Sequence, residues 1–208
     1  MKRQIFFFAL WFPAFLAAGQ GTFIYDQQSA NESTFFGVDF WHIELEQPMG
    51  QSFTPTSSSV GFISLVLEDP VSNGVGATVY LNLWAGSIGG TFLGSTAPVF
   101  IPDNFGTLPQ YPGFTNFFFP TPVAVAPGTT YYFQPQLGSG SDNANVNYST
   151  YSYSGGTMIR NGAPVPGWNL WFREGIYVVP EPAPSWLVLV SGVVLLYARH
   201  KHPKPLSS

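Results

Sequence analysis

The chain has 208 residues and a mass of 22.7 kDa, room for one core with short appendages. Hydrophobic residues make up 45%, aromatics 17% and charged residues only 9%, which excludes a highly charged disordered chain or a coiled coil; 22 Gly and 19 Pro without an every-third-glycine period exclude long helices and collagen. Seven Lys and Arg against 11 Asp and Glu leave a net charge of -4, which argues against a phosphate-neutralising nucleic-acid binder, and with no Cys there is no disulfide framework.

At the N-terminus, Lys2 and Arg3 precede an apolar run from Ile5 to Leu16, and Ala17-Ala18-Gly19 follows. This is the order of a secretory signal peptide over residues 1–19, a helix removed by signal peptidase with Ala17 and Gly19 in the two small-residue positions. The alternative, an N-terminal membrane anchor, has too short an apolar run to span a bilayer.

Residues 20–178 then form the expected exported domain. With Val179 included it holds two arginines, Arg160 and Arg173, against ten acids, a net charge of -8 that offers no basic patch to an anionic polymer or lipid surface. Period two dominates. Ile63, Leu65 and Leu67 alternate with Phe62, Ser64 and Val66, and Val79, Leu81 and Leu83 alternate with Thr78, Tyr80, Asn82 and Trp84. With Asn73-Gly74 between them, these two segments read as a hairpin. Further strands are expected over 36–45, 51–54, 91–101, 114–119, 129–136, 145–153 and 169–178. Pro127-Gly128, Gly138 to Gly140, Gly155-Gly156 and Asn161-Gly162 punctuate them. About nine short strands without a long helix or a repeat predict an all-β domain, a two-sheet antiparallel sandwich of jelly-roll or lectin-like form.

The C-terminal end carries Pro180-Glu181-Pro182, then 16 uncharged residues from Ala183 to Ala198, then Arg199, His200, Lys201 and His202. As a helix, 183–198 reaches about 24 Å against a hydrocarbon core of about 30 Å. Trp186 and Tyr197 lie near its ends, and Arg199, Lys201 and Lys204 would hold the tail, residues 203–208 included, in the cytoplasm. This order over 179–202 resembles the PEP-CTERM sorting signal of Gram-negative bacteria, also called the ice-binding-protein C-terminal domain, although His interrupts the usual Arg run. The resemblance implies that an exosortase reads Pro180, Glu181 and Pro182, with Arg199 and Lys201 completing the signal. It further implies that the precursor sits in the inner membrane and that the mature protein is released or attached at the cell surface. An ordinary single-pass anchor is the alternative.

A second resemblance runs through the exported part. Asp26-Gln27-Gln28, Gly50-Gln51-Ser52-Phe53-Thr54, Leu93-Gly94-Ser95, Pro127-Gly128-Thr129-Thr130-Tyr131-Tyr132 and Asn169-Leu-Trp-Phe-Arg-Glu174 look like a module common among PEP-CTERM surface proteins. It implies a secreted β-sandwich of lectin-like appearance and no particular activity.

Residue chemistry narrows the function. His42 is the only histidine of residues 20–179, so multi-His metal sites are absent, and a Ser-His-Asp triad would have to use it. On a strand, His42, Glu44 and Glu46 would share one face about 6.6 Å apart, a metal or carboxylate-pair arrangement that reads more simply as a solvent face. Asp142-Asn143-Ala144-Asn145-Val146-Asn147 offers calcium-type oxygens, but Ala144 and Val146 break the ligand register, so a polar loop entering a strand is expected. Asn31-Glu-Ser33 and Asn147-Tyr-Ser149 match glycosylation acceptors by chance. No catalytic residue, metal site or cofactor is assigned.

Aromatic rings beside amides suit a neutral sugar, stacking on its CH face and hydrogen bonding its hydroxyls. Tyr80, Asn82 and Trp84 share one strand face. Asn145, Asn147, Tyr151 and Tyr153 would share another, and Trp168 and Trp171 flank a turn and a strand start. The competing expectation is that these rings fill the core. The sequence therefore predicts a non-enzymatic, exported surface or extracellular-matrix protein associated with exopolysaccharide or biofilm, with a carbohydrate-binding module as the alternative. Signal peptidase, exosortase and a glycan are the expected partners, and nucleic acid is not. Ice binding would need a regular Thr face, and Thr54-Pro55-Thr56 stands alone.

Overall fold

The computed structural model describes residues 21–30, 39–107 and 113–179. Residues Phe23–Val178 form one compact unit. The expected signal peptide, Pro-Glu-Pro motif, membrane span and basic cluster lie outside the described residues. Among the described residues no helix is long and apolar enough to cross a membrane.

The strands are β1 (Thr22–Gln28), β2 (Asp39–His42), β3 (Gly50–Phe53), β4 (Ser59–Glu68), β5 (Ala77–Ala85), β6 (Thr91–Ser95), β7 (Val99–Ile101), β8 (Phe114–Ala124), β9 (Tyr131–Leu137), β10 (Asn145–Ser149), β11 (Met158–Arg160), β12 (Ala163–Val165), β13 (Asn169–Leu170) and β14 (Phe172–Val178). They form two antiparallel sheets. The first runs β1-β14-β4-β10-β13, with β2 on β10 and β8 on β4; the second runs β12-β11-β3-β9-β5-β6, with β7 on β5. The chain crosses from sheet to sheet between β3, β4 and β5 and again between β7, β8, β9, β10 and β11.

The inner faces meet in one core. Ile63, Leu65 and Leu67 of β4, Phe117 of β8 and Phe172 of β14 pack with Phe53 of β3, Val79, Leu81 and Leu83 of β5 and Phe133 of β9, all fully buried. Burying each such side chain contributes roughly 1.5–3 kcal/mol. The architecture is the expected all-β sandwich.

β5 follows its sequence pattern, with Ala77, Val79, Leu81 and Leu83 inward and Thr78, Tyr80, Asn82 and Trp84 partly exposed. β4 is covered on both faces. Phe62, on its outer face, is shielded by the rings of Phe23 at 4.9 Å, Tyr25 at 5.8 Å and Phe118 at 6.2 Å. Val66 joins Ala30 and Trp171 in a small outer cluster flanked by Phe40, Phe114 and Tyr151.

Several expectations change. β4 and β5 are not a hairpin: β4 pairs with β8, β14 and β10, whereas β5 pairs with β9, β6 and β7. Both strands offer an apolar face to one core, so the pattern that made them look like partners is equally satisfied from opposite sheets. The two-residue hairpin turn is Asn161-Gly162 between β11 and β12, with φ of 49° and 76° as a type I′ turn requires. The segment 91–101 splits into β6 and β7, the segment 145–153 ends as a strand at Ser149, and 169–178 is interrupted at Trp171. β2 ends at His42, so Glu44 and Glu46 lie in a turn and share no strand face with it; between them and His42, Ile43 plunges into the core.

Candidate functional site

The outer face of the second sheet brings together the rings and amides best placed to meet a ligand. β5 sets Tyr80 opposite Gln136, Asn82 opposite Gln134 and Trp84 opposite Tyr132 of β9. On its other side Asn82 faces Ser95 and Trp84 faces Phe92 of β6. Tyr80, Asn82, Trp84 and Tyr132 are half-buried, and Phe92 is 53% exposed, meeting Trp84 edge-to-face at 5.3 Å.

Hydrogen bonds fix this face. The Trp84 indole N–H donates to Gln134 Oε1 at 3.0 Å, and Gln134 Nε2 donates to Gln47 Oε1 at 2.7 Å. Gln136 Nε2 donates to the same Gln47 oxygen at 3.0 Å, while Gln47 Nε2 donates to the Ile43 and Pro135 carbonyls. The Ser95 hydroxyl donates to Asn82 Oδ1. Gln47 and Gln136 continue into a groove of about 330 Å³ walled by Glu44, Ser139 and Ser141. Gln47, Gln134 and Gln136 were missed in the sequence. The alternation of Tyr132, Gln134 and Gln136 along β9 is the signal that would have found the last two.

The remaining aromatic candidates stand elsewhere. Trp171 is only 4% exposed, in the outer cluster of the first sheet, 5.3 Å from Phe114 and 5.8 Å from Tyr151. Trp168 packs on Tyr148 at 5.1 Å and Trp41 at 6.4 Å. Tyr151 donates its hydroxyl to Asn147 Oδ1 at 2.7 Å, and Tyr153 donates to Gln27 Oε1 at 3.3 Å. Burial pushes both phenols up to about 12, so they remain neutral donors. Tyr151 and Tyr153 do border a cleft of about 430 Å³ with Thr157, Pro166, Gly167 and Asn169. Asn145 and Asn147, expected beside these tyrosines on one exposed strand face, are buried at 6% and 0%.

The charged groups serve mainly as ties. Arg160 donates to both oxygens of Glu46, at 2.5 and 2.7 Å, and lies 4.1 Å over the Trp41 ring. The guanidinium holds the Glu46 carboxyl below its ordinary range. A carboxyl pair not anticipated from the sequence joins β1 to β14. Glu174 is fully buried; burial first, then the negative Asp26 beside it and a carboxyl–carboxyl hydrogen bond with it, push it up to about 9, against the Gln27 amide, which acts downward. For Asp26 itself burial acts upward, but the Thr56 hydroxyl and the Thr56 and Ser57 amides outweigh it and hold the carboxyl below its ordinary range. Two carboxyls pushed apart in this way also mark acid–base sites, yet here one is sealed in the sandwich and the other locks the loop before β4.

A scan against protein-family models gives no match, and no curated protein matches the chain.

Proposed function

We propose that the sandwich is a non-enzymatic module that contacts a neutral glycan through the outer face of its second sheet. Under this reading the module is carried to the cell surface or extracellular matrix, among exopolysaccharide, by the signal peptide and the exosortase-type tail. The observation that carries it is the row Tyr80, Asn82 and Trp84 beside Tyr132 and Gln136. Partly exposed ring faces alternate there with amides on a rigid strand pair, and Asn82 Nδ2 has no protein partner among the described residues. Rings supply a platform for sugar CH groups, and amides read hydroxyls. The glutamine ties through Gln134 and Gln47 hold the Trp84 ring in place before a ligand arrives, which lowers the ordering cost of binding. The repeated crossing of the chain between sheets supports a jelly-roll form for the module.

Two measurements on the native protein test this. A glycan array should show binding to a neutral polysaccharide, and intact mass should show an N-terminus just after Gly19 and a C-terminus near Pro182. A silent array removes the glycan reading. A mass ending at Ser208 removes the processing reading and leaves a membrane-anchored protein.

A further inference from the structure

The outer face of the second sheet continues past the ring and amide cluster around Trp84. β7 pairs with the first half of β5 and sets Phe100 opposite Thr78, on the same outward register as Tyr80, Asn82 and Trp84. Phe100 is 64% exposed, more so than Phe92. Its ring lies over Gly76: a Cβ on that glycine would come within 2.7 Å of the ring, so the missing side chain is what leaves room for it.

Phe100 beside Thr78 and Phe92 beside Trp84 therefore mark the two ends of a row that follows β5. At about 3.3 Å per residue, the stretch from Thr78 to Trp84 spans about 20 Å. Tyr80 and Asn82 stand between the ends, and Gln136, opposite Tyr80, borders the groove of about 330 Å³ on the β9 side. No residue of β5, β6, β7 or β9 is charged, although residues 20–179 carry a net charge of -8. Glu44 is the only charged residue lining the groove. With the acids kept off these strands, charge complementarity selects an uncharged occupant over a basic protein or a polyanion.

We propose that this row binds the interior of a linear, uncharged polysaccharide, laid along β5 across several sugar units with neither chain end read. The inference rests on the glycan reading above and adds to it the extent of the ligand and a binding role for Phe100. A single sugar can stack on one ring at a time, whereas rings at both ends of a row about 20 Å long are used together only by a ligand of that length. Phe92 and Phe100 are each more than half exposed, so neither end of the row is closed by the protein and a chain can run on past both. Along the row Asn82 Nδ2 is left to read a hydroxyl, and the Gln134 and Gln47 ties fix the Trp84 end before the chain arrives.

The test uses the full chain and the polysaccharide of its own cells, cut by mild acid into fragments graded from the disaccharide upward, with binding read by calorimetry. Wild-type affinity is expected to rise about tenfold or more from the disaccharide to fragments long enough to span the row, and chemical reduction of the fragments' reducing ends should change nothing. Phe100→Ala, which removes an exposed ring and is therefore compatible with folding, should lose about tenfold on the long fragments and leave the disaccharide, which the Trp84 end holds, unchanged. Tyr177→Ala, on the other sheet, should behave as wild type. A disaccharide bound as tightly as a long fragment, or a Phe100→Ala variant indistinguishable from wild type, overturns the proposal and leaves the glycan reading standing. No binding of the fragments or of the uncut polymer removes both, and self-association that Phe100→Ala abolishes would give the face to a second copy of the chain instead.

Discussion

The indole of Trp84 and the side chain of Gln134 face each other across the β5–β9 pair, and a 3.0 Å bond from Nε1 to Oε1 fixes the ring on the outer surface of its sheet. Gln134 is only 8% exposed and passes the constraint on to Gln47, so the ring belongs to a network rooted in the turn after β2.

Trp84→Phe keeps a flat ring but removes the donor, leaving a buried Gln134 oxygen without its partner. The expected cost is about 1–2 kcal/mol in urea unfolding, with the secondary structure seen by circular dichroism unchanged. An unchanged midpoint would mean that the bond does not constrain the face.

The Asp26 and Glu174 pair sets a pH dependence. Glu174 titrates at about 9 in the fold against 4.5 when free, so the folded state binds the extra proton between these values. Its contribution is complete below about pH 4.5 and is lost as pH rises toward 9, at up to about 1.4 kcal/mol per pH unit. Asp26 acts in the opposite sense: its lowered pKa gives stability that is present above about pH 3.8 and lost as pH falls through the folded value. The two groups together favour the fold most near pH 4–5. Glu174→Gln should flatten the decline between pH 5 and 8 in chemical unfolding, and an unchanged slope would show that Glu174 ionises freely in the fold.

Gly156 is required by contact. A Cβ there would lie 1.8 Å from the Ser52 carbonyl oxygen, a backbone atom that the β3 ladder holds in place. Gly156→Ala is therefore expected to destabilise by about 3 kcal/mol or more, read as a lowered unfolding midpoint. Gly113→Ala, where nothing lies within 4 Å and no positive φ is needed, should leave the midpoint nearly unchanged and serves as its control.

The alternation in β5 was legible because one of its faces meets only core and the other only surface. The same rule misled at β4, whose outer residues Phe62 and Val66 are also buried, and it is silent about which strand pairs with which. β11 and β12 have three residues each, too few to show a period, so Asn161-Gly162 read only as punctuation. In the candidate site, Tyr80, Asn82 and Trp84 could be read from one strand alone. Gln47 could not, because it reaches the face from a turn 87 residues away from Gln134 in sequence. Trp171 shows the limit of reading aromatics: a ring on the outward register is still buried when an outer cluster covers its sheet. Glu174 was invisible for a related reason, since nothing in its neighbours announces that a carboxyl faces the core.

The most direct test of the glycan-contact reading is co-sedimentation of the full chain with polysaccharide prepared from its own cells. Wild type would be compared with Trp84→Ala and with Tyr177→Ala, which removes an exposed ring from the other sheet. Wild type and Tyr177→Ala are expected to sediment alike, and Trp84→Ala to lose about tenfold in affinity, the scale of one aromatic contact. Equal sedimentation of Trp84→Ala and wild type, or none by the wild type, would contradict that reading.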